Sequence, residues 1–381
     1  LSVKGNSSRR VSYEYKDVGA DGTSTQVSKI NYVGGGDLQS LSYEYDFLGN
    51  ITKVYENGEV LAEYTYDFQS QLIREKIPEF GLEYQYTYDT GGNIRRKTPV
   101  NSSGSETVYS YTDGNWKDLL TKVDNKVIVY DQIGNLTSYG DWVYTWQNGR
   151  ELKEAQLYNR KIAFAYDSSG KRIEKNIGGA VSEYVYCGDK LIKENSSHYG
   201  SLQYTYDEEG RPYSITWYGK TVYYVLNLQG DVIRLVDENG RIEAEYVYDA
   251  WGNVVYSFDV NGFGTMNPFR YRGYYYDEDL GLYYLNSRYY NPGIGRFINA
   301  DGYVSTGQGF LGHNMFAYCG NNPVNHRDST GKYAEALFEE WVPSMWGLIF
   351  VDGPLPIGDL IYGGVLMIGG VLALDNISEN H

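Results

Sequence analysis

Cysteine, histidine, proline and positive charge are all scarce in this chain of 381 residues. Its two cysteines, Cys187 and Cys319, lie far apart and form no CxxC pair, which removes zinc-ribbon and thioredoxin-like readings. Both read as small buried side chains. The four histidines, His198, His313, His326 and His381, are scattered and give no metal-ligand spacing, so neither a metal nor another cofactor is expected. Nine prolines are too few for a proline-rich linker. With 33 Lys and Arg against 49 Asp and Glu, the formal net charge is −16. That balance argues against nucleic acid as a partner, because phosphate binding needs clustered cations. Ser-His-Asp, phosphate-loop and HExxH signatures are missing as well. The chain opens on Leu1 with no apolar leader and reads as the interior of a longer one.

Tyrosine and glycine fill the space these absences leave, with 42 and 45 residues. Tyrosine suits a strand with one packed face and a hydroxyl that reaches a partner. Glycine at this level marks frequent tight turns. The two are organised in a repeat, Tyr-x-Tyr-Asp-x-x-Gly followed by Asn, Arg or Lys. Copies stand at Tyr43 to Asn50, Tyr86 to Asn93, Tyr130 to Asn135, Tyr166 to Lys171, Tyr206 to Arg211 and Tyr248 to Asn253. Degenerate copies stand at Tyr66-Asp67, Tyr111 to Asn115, Trp146 to Gly149, Tyr186 to Asp189 and Leu226 to Asp231. Two tyrosines at period two share one strand face. The aspartate opens a turn by bonding its own downstream backbone, and glycine supplies a positive φ. Each unit therefore predicts a β-hairpin. One hairpin cannot bury its face alone, so units about 20 residues long stack into an extended sheet.

Residues 268–331 break the repeat. They read Arg270-Tyr-Arg-Gly-Tyr-Tyr-Tyr-Asp277, Gly281-Leu-Tyr-Tyr-Leu-Asn-Ser-Arg-Tyr-Tyr-Asn-Pro292, Gly295-Arg-Phe-Ile-Asn-Ala-Asp301, Asn314 to Asn325, and Asp328-Ser-Thr-Gly331. Short strands and frequent turns are expected here, in a compact aromatic cap. This stretch closely resembles the core signature of the Rhs (rearrangement hotspot) proteins, relatives of the Tc toxin C component and of the teneurin YD shell. The upstream units resemble the YD repeats of the same families. The resemblance implies an all-β fold: a YD-repeat hairpin array over 1–267 forming part of a spiralling shell, a core plug over 268–331, and a variable tail over 332–381. The chain reads as the terminal portion of such a shell.

In function, the resemblance implies the structural shell of a bacterial polymorphic toxin, secreted or at the cell surface. Such a shell encapsulates and delivers a C-terminal effector in competition between bacteria. The implied partners are the chain's own effector segment, an immunity protein and the secretion machinery. A different class, a wall-associated adhesin, would use exposed Tyr and Trp to bind carbohydrate or protein. A third reading is self-cleavage. Arg288, Asp301 and Asp328 match the family's cutting residues, and the cut would fall at Gly331–Lys332. Two carboxylates sharing a proton can activate water and protonate a leaving group, while Arg steadies a carboxylate or an oxyanion. The motif departs from the family pattern at Gly302, Ser329 and Lys332. The purely structural alternative has Arg288 pairing with Asp301 or Asp328 to pin the plug.

After Gly331 the composition changes. Tyr333 to Trp341 has helical spacing, with Leu337, Phe338 and Trp341 on one face. Leu360 to Leu374 carries no charge and is bounded by Asp359 and Asp375. At 15 residues it is short for a membrane span and reads as a buried or membrane-inserting segment.

Overall fold

The computed structural model describes residues 3–4, 10–17, 24–100, 104–302, 313–332 and 334–336. Between Val3–Lys4 and Val254–Asp259, 25 strands form one sheet in which every strand lies antiparallel to its neighbours in sequence. Among the described residues hairpin follows hairpin without a crossover, as the repeat requires.

The turns show how the repeat builds this wall. In the copy at 46–50, Asp46 Oδ1 accepts the Leu48 and Asn50 amides at 2.9 and 2.8 Å. The Gly49 amide donates to the Asp46 carbonyl, and Gly49 sits at φ 85°, where a side chain is disfavoured. The same pair of aspartate bonds recurs at Asp131, Asp167, Asp207, Asp237 and Asp249. At Tyr66-Asp67, where the glycine is missing, Ser70 takes the left-handed backbone at φ 59° and the turn survives.

The tyrosine that opens most of these turns has a second task. Its hydroxyl crosses to a backbone carbonyl of an earlier strand: Tyr45 to Val27, Tyr66 to Ile51, Tyr166 to Leu152, Tyr186 to Arg172, Tyr206 to Leu191 and Tyr248 to Val232, at 2.6–3.0 Å. Trp146 does the same with its indole N–H, to the Leu136 carbonyl. A β-bulge falls just before this residue, as between Thr205 and Tyr206. Phenylalanine would pack equally well and leave that carbonyl without its donor, which explains the excess of tyrosine.

The wall winds back on itself. Tyr32 donates to the Leu226 carbonyl, the Leu228 amide donates to Tyr43, and Arg234 pairs with Glu56. Among the described residues no strand ladder joins these elements, and the two windings meet through side chains. Leu41, Val54, Ala62 and Ile77 line one side of the overlap, and Ile233, Val247 and Ala250 the other. Glu75 is sealed in this overlap, accepting from the Ala250 amide at 2.7 Å and from the Tyr86 hydroxyl. Burial, followed by the nearby Asp249 charge, pushes its carboxyl up to about 7.

Beyond Asp259 the chain forms a second, small sheet of Tyr275–Asp277, Leu282–Tyr284, Tyr289–Asn291 and Arg296–Phe297. Tyr271, Tyr283, Tyr290, Tyr318 and Phe297 stack into its centre, all nearly inaccessible. Successive wall turns grip this plug. Asn322 bonds Asn50, Asn321 bonds Gln71, and Arg296 and Asn314 bond Asn93. Asn299 bridges to Asn135, Arg272 pairs with Asp231, and Tyr283 donates to the Gly252 carbonyl. The strongest grip is charged. Asp277 meets Arg172 at 2.8 Å and Lys175 at 2.6 Å, all three buried. Burial works against the Asp277 charge, but Lys175 and Arg172 outweigh it and hold the carboxyl below its usual range. The Arg172 guanidinium is boxed by Phe164, Tyr184, Tyr275 and Tyr284 at 4.6–5.2 Å.

Two expectations change. Cys319 is buried but Cys187 is exposed, because it occupies an outward position at the end of strand Ala180–Cys187. The helix expected over 333–341 gives way at Glu335–Ala336, which pairs antiparallel with His326–Arg327. There the Glu335 carboxylate reaches Arg327 and Ser329, contacts that favour an extended segment. The rest of that stretch, and the apolar run 360–374, lie outside the described residues. Among the described residues, no helix is long and apolar enough to cross a membrane.

Candidate functional site

Arg288, Asp301 and Asp328 arrive from three parts of the plug and meet. Arg288 immediately precedes strand Tyr289–Asn291. Asp301 follows Ala300, whose amide donates to the Gly134 carbonyl of a wall turn, and its own amide donates to the Met315 carbonyl at 3.0 Å. Asp328 follows strand His326–Arg327, and its amide donates to the Tyr274 hydroxyl at 2.7 Å. The guanidinium spans both acids: Nη1 lies 2.8 Å from Asp301 Oδ2, and Nη2 lies 2.9 Å from Asp328 Oδ2. It rests 3.6 Å above the Phe297 ring. All three residues are buried.

The Gly331–Lys332 bond lies against the same arginine. Arg288 Nε donates to the Gly331 carbonyl, and Ser287 Oγ lies 2.7 Å from that oxygen and 2.8 Å from the Thr330 carbonyl. On the other side of the Gly331–Lys332 bond, the Lys332 amide donates to Asp328 Oδ1 at 3.0 Å. Burial raises the Asp328 carboxyl above its ordinary value, while Arg288 and the Lys332 and Gly331 amides hold it back. Burial also draws the Arg288 guanidinium below its ordinary value, against the pull of Asp301 and Asp328. A cavity of about 690 Å³ opens beside Ser287, Thr330 and Lys332 and is also lined by Glu151, Lys171 and Tyr289.

All three residues singled out in the sequence therefore come together, and Arg288 pairs with both acids rather than one. Sequence reasoning missed Ser287, Tyr274 and Phe297. Ser287 adjoins Arg288 in Asn-Ser-Arg, but nothing local marks its hydroxyl as facing a bond 44 residues away. Tyr274 is one of several tyrosines in its stretch, and only the fold distinguishes it.

A wound wall of hairpins, gripping a plug that buries an arginine between two carboxylates, defines a repeat-shell protein of the YD type. The Teneurin YD-shell family model matches residues 6–324, and the chain belongs to that family. It is 37% identical over 290 residues to the tRNA3(Ser)-specific nuclease WapA of Bacillus spizizenii, across 74% of this chain and 12% of that protein. It is 24% identical over 275 residues to the toxin protein Tse5 of Pseudomonas aeruginosa, across 70% of this chain and 18% of Tse5. The crystal structure of TcdB2-TccC3-Cdc42 shares the fold, with a TM-score of 0.70 at 20% identity, over 85% of this chain and 18% of that one. The chain thus spans less than a fifth of each of these proteins. The Rhs resemblance and the all-β shell fold both stand.

Proposed function

We propose that this chain is the wall and plug of a YD-repeat toxin shell that holds the segment following residue 331 and releases it by cutting its own Gly331–Lys332 bond. The relatives named as a tRNA nuclease and as a toxin protein support a bacterial toxin, secreted or displayed at the cell surface. The partners in this reading are the chain's own effector segment and an immunity protein that protects the producer. One observation carries the cutting: a single arginine binds the Gly331 carbonyl and both carboxylates, while the next amide rests on one of those carboxylates. Asp301 takes a proton from water as the water oxygen bonds to the Gly331 carbonyl carbon. Asp328 delivers a proton to the Lys332 nitrogen as the C–N bond breaks. Because this step needs protonated Asp328, cutting is expected to slow as pH rises past the raised carboxyl range. Intact mass of the purified chain, beside Asp301→Asn, tests the reading. A fragment ending at Gly331 in the parent alone is expected; an uncut parent, or equal cutting in both, contradicts it.

A second reading, as an adhesin, draws on Phe47 and Phe68. They stand 94% and 89% exposed on neighbouring turns, where Asn50 bonds Ser70. Binding on a glycan array that Phe47→Ser abolishes would favour it.

A further inference from the structure

The residues around the Gly331–Lys332 bond carry two features that the acid pair does not explain. The first is a hydroxyl with two acceptors. Ser287 Oγ lies within hydrogen-bond distance of both the Thr330 and Gly331 carbonyls, yet it has one proton to give. In the resting chain the two neutral oxygens compete for it. The second is a backbone that excludes a side chain. Gly331 sits at φ 72°, and a Cβ there would meet the Leu285 carbonyl oxygen at 2.6 Å, Ser287 Oγ at 2.8 Å and the Arg288 amide nitrogen at 3.0 Å. Two of those three atoms are backbone and cannot turn aside.

We infer that Ser287 is a catalytic residue of the self-cleavage, forming with Arg288 Nε a two-donor oxyanion site for the Gly331 carbonyl, and that this site admits only glycine before the cut bond. The inference rests on the cleavage reading above. As water adds to the Gly331 carbonyl carbon, the carbonyl π pair moves onto oxygen. The Ser287 proton then leaves its neutral competitor at Thr330 and commits to the charged oxygen. The bond is therefore stronger in the transition state than in the ground state, which is the condition for accelerating the step. Collapse of the intermediate returns the pair to carbon, expels the Lys332 nitrogen with the proton from Asp328, and leaves a Gly331 carboxyl. The cavity beside Ser287, Thr330 and Lys332 gives water a route to the bond. The close approach of the plug backbone to Gly331 is what places both donors, so the glycine requirement and the oxyanion site are one feature.

The test follows the rate of fragment formation by intact mass in the full chain, with the thermal midpoint recorded alongside. Removing one oxyanion donor slows such reactions roughly 100-fold or more. Ser287→Ala, which deletes a single hydroxyl, is expected to cut about 100-fold slower at an unchanged thermal midpoint. Ser287→Thr keeps a hydroxyl and is expected to recover cutting to within about tenfold of the parent. Gly331→Ala is expected to yield no fragment. Cutting of Ser287→Ala at the parent rate overturns the inference and leaves the acid pair standing. So does loss of cutting that tracks a collapsed thermal midpoint and is not recovered by Ser287→Thr, and so does cutting of Gly331→Ala at the parent rate. A parent that never cuts overturns the cleavage reading and this inference together.

Discussion

The wall and the plug are held by different kinds of contact. A wall turn is self-contained: an aspartate satisfies amides two and four residues ahead, and a tyrosine reaches one carbonyl about 14–18 residues back. The same device is copied along the sheet, so losing one copy leaves its neighbours intact. The plug depends on buried charged or polar contacts, several with partners more than 100 residues away, such as Arg172 with Asp277 and Arg296 with Asn93. These contacts differ from turn to turn and do not copy one device along the sheet. Redundant local bonds suit a wall of variable length. Unique buried charges suit a part that must seat in one way, and whose seating brings Arg288, Asp301 and Asp328 together.

The comparison breaks most visibly at Asp277. Asp277→Ala leaves the boxed Arg172 buried without its carboxylate, and removing one partner of such a pair costs about 3–5 kcal/mol. Denaturant unfolding should show that loss, with cutting at Gly331 lost as well. An intermediate effect is expected where the windings overlap. Glu75 has a folded-state carboxyl raised from 4.5 to about 7. A raised acid favours the folded state below its unfolded value, and that advantage is lost as pH climbs through the folded value. Stability attributable to Glu75 should therefore be full below pH 4.5 and fall by on the order of 2–3 kcal/mol by about pH 7. Glu75→Gln should flatten that slope in thermal unfolding scans across the interval. The smallest effect belongs to the wall. Tyr206→Phe removes one hydroxyl bond to the Leu191 carbonyl and should cost about 1 kcal/mol while leaving cutting unchanged.

The same division explains what could be read in the chain before its structure. Hairpins were legible because Tyr206, Asp207 and Gly210 act on neighbours within one repeat, so spacing reveals their work. Even the copy at Asp67 without glycine was placed correctly, since Ser70 adopts the same backbone. The pairing of Arg288 with one of the two aspartates was legible only through family resemblance, because no local pattern links residues 40 apart, and its reach to both came from the fold. Ser287 and the Asp277 grip were invisible. A lone serine and one more Tyr-Tyr-Asp carry no local mark of their roles until the fold brings their partners to them. The helical spacing after Gly331 misled at Glu335–Ala336, where contacts to Arg327 and Ser329 override local periodicity.

Hydrogen exchange of Asp277→Ala beside Tyr206→Phe tests the central claim most directly. The account predicts that Asp277→Ala loses amide protection throughout the plug sheet, including Leu282–Tyr284 and Tyr289–Asn291, while the wall strands stay protected. Tyr206→Phe should change exchange only near its own hairpin. Equal, local loss in both variants would mean that the plug is as redundantly held as the wall, and would contradict the account.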